Sequence, residues 1–182
     1  MALNRAKTFV EKALLFSSGR VKNAISSSLN NENALLFRIP DLSSRSLWTP
    51  NFWGSNITDD IQKLEDNHAT IKLACLKVLK NASIWQRKDD GAGGTWFIYP
   101  LLKNGFWCDE YCNVEPELME IIHSLNSIMH KCVFGSIYFS LLPPKTKIQN
   151  HLEPTNIRLK CHLGIEVPKE EEACFLTTAT NE

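Results

Sequence analysis

Two stretches with helical hydrophobic spacing, residues 58–81 and 116–128, precede a series of β-branched and aromatic runs that begins at Val133, and this order predicts an α+β fold. A second observation concerns the last of those runs. From Arg158 onward, Leu159, Cys161, Leu163, Ile165 and Val167 fall on one side of an extended chain, and Arg158, Lys160 and His162 on the other. Helices first and strands later suggest a sheet that belongs to a jelly roll with helices flanking it.

The elements follow in order. Residues 1–30 carry Arg5, Lys7, Lys12, Arg20 and Lys22 against a single acid, Glu11, and then the serine run 26–28. That composition is compatible with a mitochondrial-type targeting segment or with a surface helix, and residues 1–36 are set apart as an N-terminal extension of a domain spanning 37–182. Phe37 to Trp53, with Pro40, Trp48 and Pro50, reads as an extended strap that packs its aromatics on the domain surface. Thr58 is expected to cap a helix whose first turn holds Asp59 and Asp60; Ile61, Leu64, Ile71, Cys75 and Val78 form its apolar stripe, and it should end near Asn81. His68 lies on or near that stripe and reads as a core or boundary histidine.

Asp89-Asp90-Gly91-Ala92-Gly93-Gly94 is a turn entering a strand at Thr95-Trp96-Phe97-Ile98-Tyr99; its adjacent aspartates would repel a phosphate, so it is no phosphate cradle. Pro116 suits the first position of a second helix, with Leu118, Ile121, Ile122, Leu125 and Ile128 on its apolar face and His123 and His130 toward solvent or the boundary. Val133 to Leu142, which contains Ser140, reads as a strand closed by Pro143-Pro144, and Cys174 to Thr178 begins another.

Composition removes several function classes. Twenty Lys and Arg balance twenty Asp and Glu, so no global field draws the 182-residue chain to nucleic acid or an anionic membrane. No apolar run is long enough for a transmembrane segment, and a soluble or peripheral chain is expected. The six cysteines show no C-x-x-C pair, which argues against a zinc ribbon. Cys161 and Cys174 read as core thiols, while Cys108 and Cys112 could pair in an oxidising compartment or stay free. Asn56-Ile57-Thr58 and Asn81-Ala82-Ser83 match the short glycosylation pattern.

The residues with most chemistry stand just before the alternating run. His151-Leu152-Glu153 places an imidazole and a carboxylate two apart, and Pro154-Thr155-Asn156 turns the chain into the basic face of Arg158, Lys160 and His162. Histidine and carboxylate can supply two of the three ligands of a facial Fe(II) site, so the arrangement suggests a metal beside an anion-binding wall. A solvated basic strand face is the plainer alternative.

His151-x-x-Pro154-Thr155-Asn156-x-Arg158-Leu159-x-x-His162-Leu163-Gly164-x-x-x-Pro168 resembles the core motif of the aspartyl/asparaginyl β-hydroxylase family. Weaker similarity runs through Phe139 to Pro144, Gly94-Thr95-Trp96 and the Pro40 to Trp53 strap, so the resemblance covers roughly residues 38–182. It implies a double-stranded β-helix (a cupin-like jelly roll) and an Fe(II)- and 2-oxoglutarate-dependent dioxygenase. That enzyme would use dioxygen to hydroxylate the β-carbon of Asp or Asn in a protein or peptide substrate.

By motif position the resemblance makes His151 an iron ligand and sets Ser140, Arg158, Lys160 and His162 around 2-oxoglutarate. Lys160 stands where arginine is usual; lysine keeps the charge and loses the bidentate fork. Glu153 replaces the glycine of the best-known aspartyl β-hydroxylases and is expected to add a carboxylate ligand. The family places a second iron histidine and a further arginine on strands beyond the segment that resembles Thr177 to Glu182. The sequence is therefore expected to be a C-terminally truncated hydroxylase domain lacking its last strands, a fragment of a longer enzyme. The alternative is a truncated, non-catalytic jelly-roll binding module.

Overall fold

The computed structural model describes Leu42, Arg45 and residues 47–89, 94–113, 115–149, 155–168 and 174–177. The chain divides into two compact units, one formed by Met1–Ser43 with His151–Leu159 and the other by Ser44–Asn150 with Lys160–Glu182. In the first, Thr155 is buried and its hydroxyl accepts the Ile157 N–H at 3.3 Å. The second carries all of the regular elements described below.

The second unit begins with a compact aromatic turn rather than a fully extended strap. Pro50–Phe52 forms a 3-10 turn, Trp53 Nε1 donates to the Trp48 carbonyl at 3.0 Å, and the Arg45 guanidinium lies 3.7 Å from the Phe52 ring centroid. Where one helix was expected from Thr58 to about Asn81, there are two, α1 (Ser55–Asp66) and α2 (His68–Leu79). Thr58 is not the cap: its hydroxyl donates back one turn to the Gly54 carbonyl, so the helix has already begun. The run is interrupted at Asn67, whose backbone turns out of the helical region (φ −99°, ψ 13°) while its N–H and its side-chain amide both donate to the Lys63 carbonyl, at 3.1 and 2.8 Å.

Three strands then precede the next helices, so the order is not helices first and strands later. These are β1 (Gln86–Asp89), β2 (Thr95–Lys103) and β3 (Phe106–Trp107). The short helices α3 (Asp109–Cys112) and α4 (Pro116–His123) follow, and then β4 (Ser136–Leu141). The α+β class holds, with an antiparallel sheet. β2 is its centre: β1 and β3 pair along one edge, and β4 along the other. The register slips by one residue between Pro100 and Leu102, which is where a proline without an N–H can be accommodated in a central strand. Asn104 (φ 52°) and Gly105 (φ 81°) close the β2–β3 hairpin in the left-handed conformation that an Asn-Gly pair favours. A Cβ at Gly105 would collide with the Cys132 backbone, so the hairpin can seat only through glycine.

Ile71, Ala74 and Val78 on α2 and Leu118, Met119 and Ile122 on α4 pack with Trp85 onto Tyr99, Leu101 and Phe139 of one sheet face. Ile98 and Leu102 are buried too, outside that cluster. Pro116 occupies the first position of α4 as the sequence predicts, but the helix ends at His123 rather than extending to Ile128. Two expected strands are absent among the described residues: 158–167 and 174–177 lie outside any ladder.

Asp60 ties these layers together. Its buried carboxylate accepts the Asn126 N–H at 2.8 Å and the Ser127 N–H at 2.7 Å, which fixes α1 against the turn after α4. Burial pushes the carboxyl pKa up, but those donors and Lys63 outweigh it and hold the group below its ordinary value. Its stabilisation is therefore present above the unfolded-state pKa and is lost as pH falls through the lower folded-state value. We expect Asp60→Ala to cost about 2 kcal/mol at pH 7 by urea denaturation. The gap between variant and parent should narrow below about pH 4.

Candidate functional site

Residues 160–168 of the alternating run that suggested a strand form instead a strap laid on the helices. Its backbone has no sheet partner because it meets helix side chains. His68 Nε2 donates to the Gly164 carbonyl at 2.8 Å, and Lys72 forms an ion pair with Glu166. Glu166 also faces Cys75, whose thiol pKa is raised first by desolvation and then by that carboxylate. Two residues one helical turn apart on α2, His68 and Lys72, thus meet two strap residues on either side of Ile165, where the chain bends.

The alternation is realised in part. Leu163 and Ile165 pack against the core, as a period of two requires, whereas Leu159 (47 % exposed) and Val167 (55 % exposed) do not. Cys161 and Cys174 are exposed rather than core thiols. The Cys161 thiol pKa is raised by desolvation and by Glu65 on α1. All six cysteines are free, Cys108 and Cys112 included; the Cys112 thiol donates to the Leu101 carbonyl at 3.3 Å.

Of the residues expected to form the site, Lys160 and His162 are both exposed on the strap, each with interactions of its own. Ser140 is exposed on β4, in register with Ile98 and on the face opposite the Tyr99–Phe139 core. Arg158 is half-buried in the unit formed with residues 151–159. His151 and Glu153 lie outside the described residues. Among the described residues no group of three His, Cys, Asp or Glu side chains is arranged to hold a metal ion. His68, read from the sequence as a core or boundary histidine, is half-buried and holds the strap. Nothing in its position on α2 signals that partner, nor the role of Lys72.

Two shallow grooves of about 410 and 220 Å3 flank the Trp107–His123 pair, whose rings meet edge to face at 4.7 Å. Neither is lined by Ser140, Lys160 or His162. Behind them lies a structural polar network. Tyr99 Oη donates to the Tyr111 carbonyl at 2.8 Å, and Lys77 pairs with the buried Glu115 at 2.8 Å. Desolvation, with Cys112, Tyr111 and Glu115 nearby, pushes the Tyr99 phenol up to about 12, so it remains a neutral donor throughout the physiological range.

An α+β unit with an antiparallel sheet, in a chain that carries the 151–168 motif, defines a class of protein, and comparison gives that class a name. Residues 57–182 match the family model described as Aspartyl/Asparaginyl beta-hydroxylase, and the chain belongs to this family. Among its relatives, aspartate beta-hydroxylase domain-containing protein 2 of Xenopus tropicalis is 32 % identical over 149 residues, covering 77 % of this chain and 39 % of that protein. The Homo sapiens protein of the same name is 33 % identical over 138 residues, covering 73 % of this chain and 36 % of its own length. Aspartyl/asparaginyl beta-hydroxylase of Mus musculus is 28 % identical over 138 residues, 74 % of this chain and 18 % of that protein. The chain thus spans less than two fifths of the length of these relatives. No described helix is long and apolar enough to cross a membrane.

If the strap is part of the folded unit, its inward side chains carry stability. Leu163→Ala should cost about 1–2 kcal/mol, roughly half a full core truncation, while Leu159→Ala should stay within about 0.5 kcal/mol. Thermal denaturation of the two variants checks this difference.

Proposed function

We propose that the chain carries the co-substrate wall and part of the metal site of an Fe(II)- and 2-oxoglutarate-dependent dioxygenase that hydroxylates the β-carbon of Asp or Asn residues in a protein or peptide. The observation that carries this reading is the 151–168 motif inside the family match, with Lys160 and His162 both exposed. On this reading residues 37–182 form the hydroxylase domain, on a double-stranded β-helix that incorporates the observed antiparallel sheet. Residues 1–36 are an N-terminal extension.

The donor chemistry suits a dicarboxylate. Lys160 and Arg158 supply fixed positive charge, Ser140 a hydroxyl and His162 a ring N–H, all able to donate to carboxylate oxygens. Lys160 acts as a point charge, so it attracts the anion without fixing its plane as an arginine would. His151 and Glu153 are the donor types Fe(II) accepts, and they are assigned as its ligands from this chain. Iron held there would activate dioxygen, the oxidant, with 2-oxoglutarate supplying two electrons as it becomes succinate and carbon dioxide and the hydroxylated C–H bond supplying the other two. The chain's own part is to attract the co-substrate, hold its carboxylates and orient it.

Titration calorimetry with 2-oxoglutarate tests the reading. Lys160→Ala and His162→Ala should each weaken binding about fivefold to tenfold, one charge-assisted hydrogen bond apiece. Lys160→Arg should strengthen binding by restoring the fork. Affinity indifferent to all three substitutions would contradict the assignment. Binding without Fe(II)-dependent succinate release would identify a non-catalytic module instead.

A further inference from the structure

We propose that His68 and Lys72 are positioning residues for the 2-oxoglutarate wall: from one face of α2 they hold the strap that presents Lys160 and His162. This inference rests on the functional reading above and extends it to two residues outside the 151–168 motif.

The need for such residues follows from the backbone. A strand in a sheet is held in register by its ladder, so side chains on its exposed face are presented in fixed places. Residues 160–168 are in no strand, and their exposed groups need another source of order. Apolar packing of Leu163 and Ile165 holds the strap down, but such contacts are non-directional and permit sliding along the helix. The directional contacts are the two polar ties. A carbonyl can only accept, so Gly164 takes a proton donated by His68 Nε2 at 2.8 Å, two residues from His162. Glu166, two residues further, takes Lys72 one helical turn along α2. The two ties grip the strap at Gly164 and Glu166, on either side of Ile165, and sliding along α2 would break both at once.

Both members of the ion pair are partly solvated, with side-chain exposures of 39 % for Lys72 and 61 % for Glu166. Such a pair adds little to global stability. Its consequence should appear locally, in the order of the strap and in the groups the strap presents. That separates a positioning role from a merely structural one.

The test combines amide hydrogen exchange over residues 161–167, thermal denaturation and 2-oxoglutarate titration on the full chain. Lys72→Met, Glu166→Gln and His68→Leu should each speed strap exchange and weaken 2-oxoglutarate binding about threefold to tenfold, with little change in Tm. Lys72→Arg and His68→Gln, which keep a donor, should recover most of both. The two halves of the ion pair also discriminate positioning from simple charge. Positioning predicts that Lys72→Met and Glu166→Gln weaken binding alike, whereas a through-space charge effect predicts that Glu166→Gln strengthens it. Opposite signs for the two variants, or unchanged exchange and affinity in all three, would overturn the inference while leaving the proposed function in place. Failure of the unsubstituted chain to bind 2-oxoglutarate would overturn both.

Discussion

Strand β2 is buried on both faces, and the placement of the other elements in its unit depends on that constraint. Tyr99, Leu101 and Leu102 are each 1–2 % exposed. Burying side chains of this kind contributes about 1.5–3 kcal/mol apiece. Tyr99 is the junction: Trp85, Tyr111 and Phe139 surround it with ring centroids at 5.7, 4.9 and 6.3 Å, and its hydroxyl is satisfied by the Tyr111 carbonyl. With β2 fixed, α2 and α4 have one apolar surface to cover. The register of α2 on that surface then decides where His68 and Lys72 emerge and which part of the strap they can meet.

How much of this was legible in the sequence varies with the physics of each element. β2 was legible because Phe97-Ile98-Tyr99 opens a continuous apolar run, and double-sided burial allows such a run to continue through Leu102. Pro100 obscured its second half, since a proline in a central strand is tolerated only at an irregularity such as the observed register slip. The Asn104-Gly105 pair is a hairpin signal that marks where β3 begins. The break at Asn67 and the anchoring of Asp60 were not legible, because periodicity encodes neither a local change of backbone angle nor the partners of a side-chain carboxylate. For 158–167, alternation correctly found Leu163 and Ile165 as inward residues and wrongly made the segment a strand. A period of two reports an extended backbone over an apolar surface and does not say whether that surface is a sheet or a pair of helices.

The site shows the same division. Residue types at 140 and 151–168 were readable as a motif, and the family assignment agrees with it over residues 57–182. The helix residues that hold the strap could not be found that way, since His68 and Gly164 are 96 positions apart and neither is unusual in its local context. A family motif records the groups that touch small ligands. The groups that hold the motif's backbone in place belong to whatever packs against it and are recognised only from the fold.

The central claim is that the segment carrying Lys160 and His162 lies along α2 and is not a sheet strand, and a nuclear Overhauser measurement tests it most directly. The account predicts contacts between the His68 imidazole Hε1 and the Gly164 Hα protons. Interstrand Hα–Hα contacts linking residues 158–167 to Ser136–Leu141, with none to His68, would contradict it.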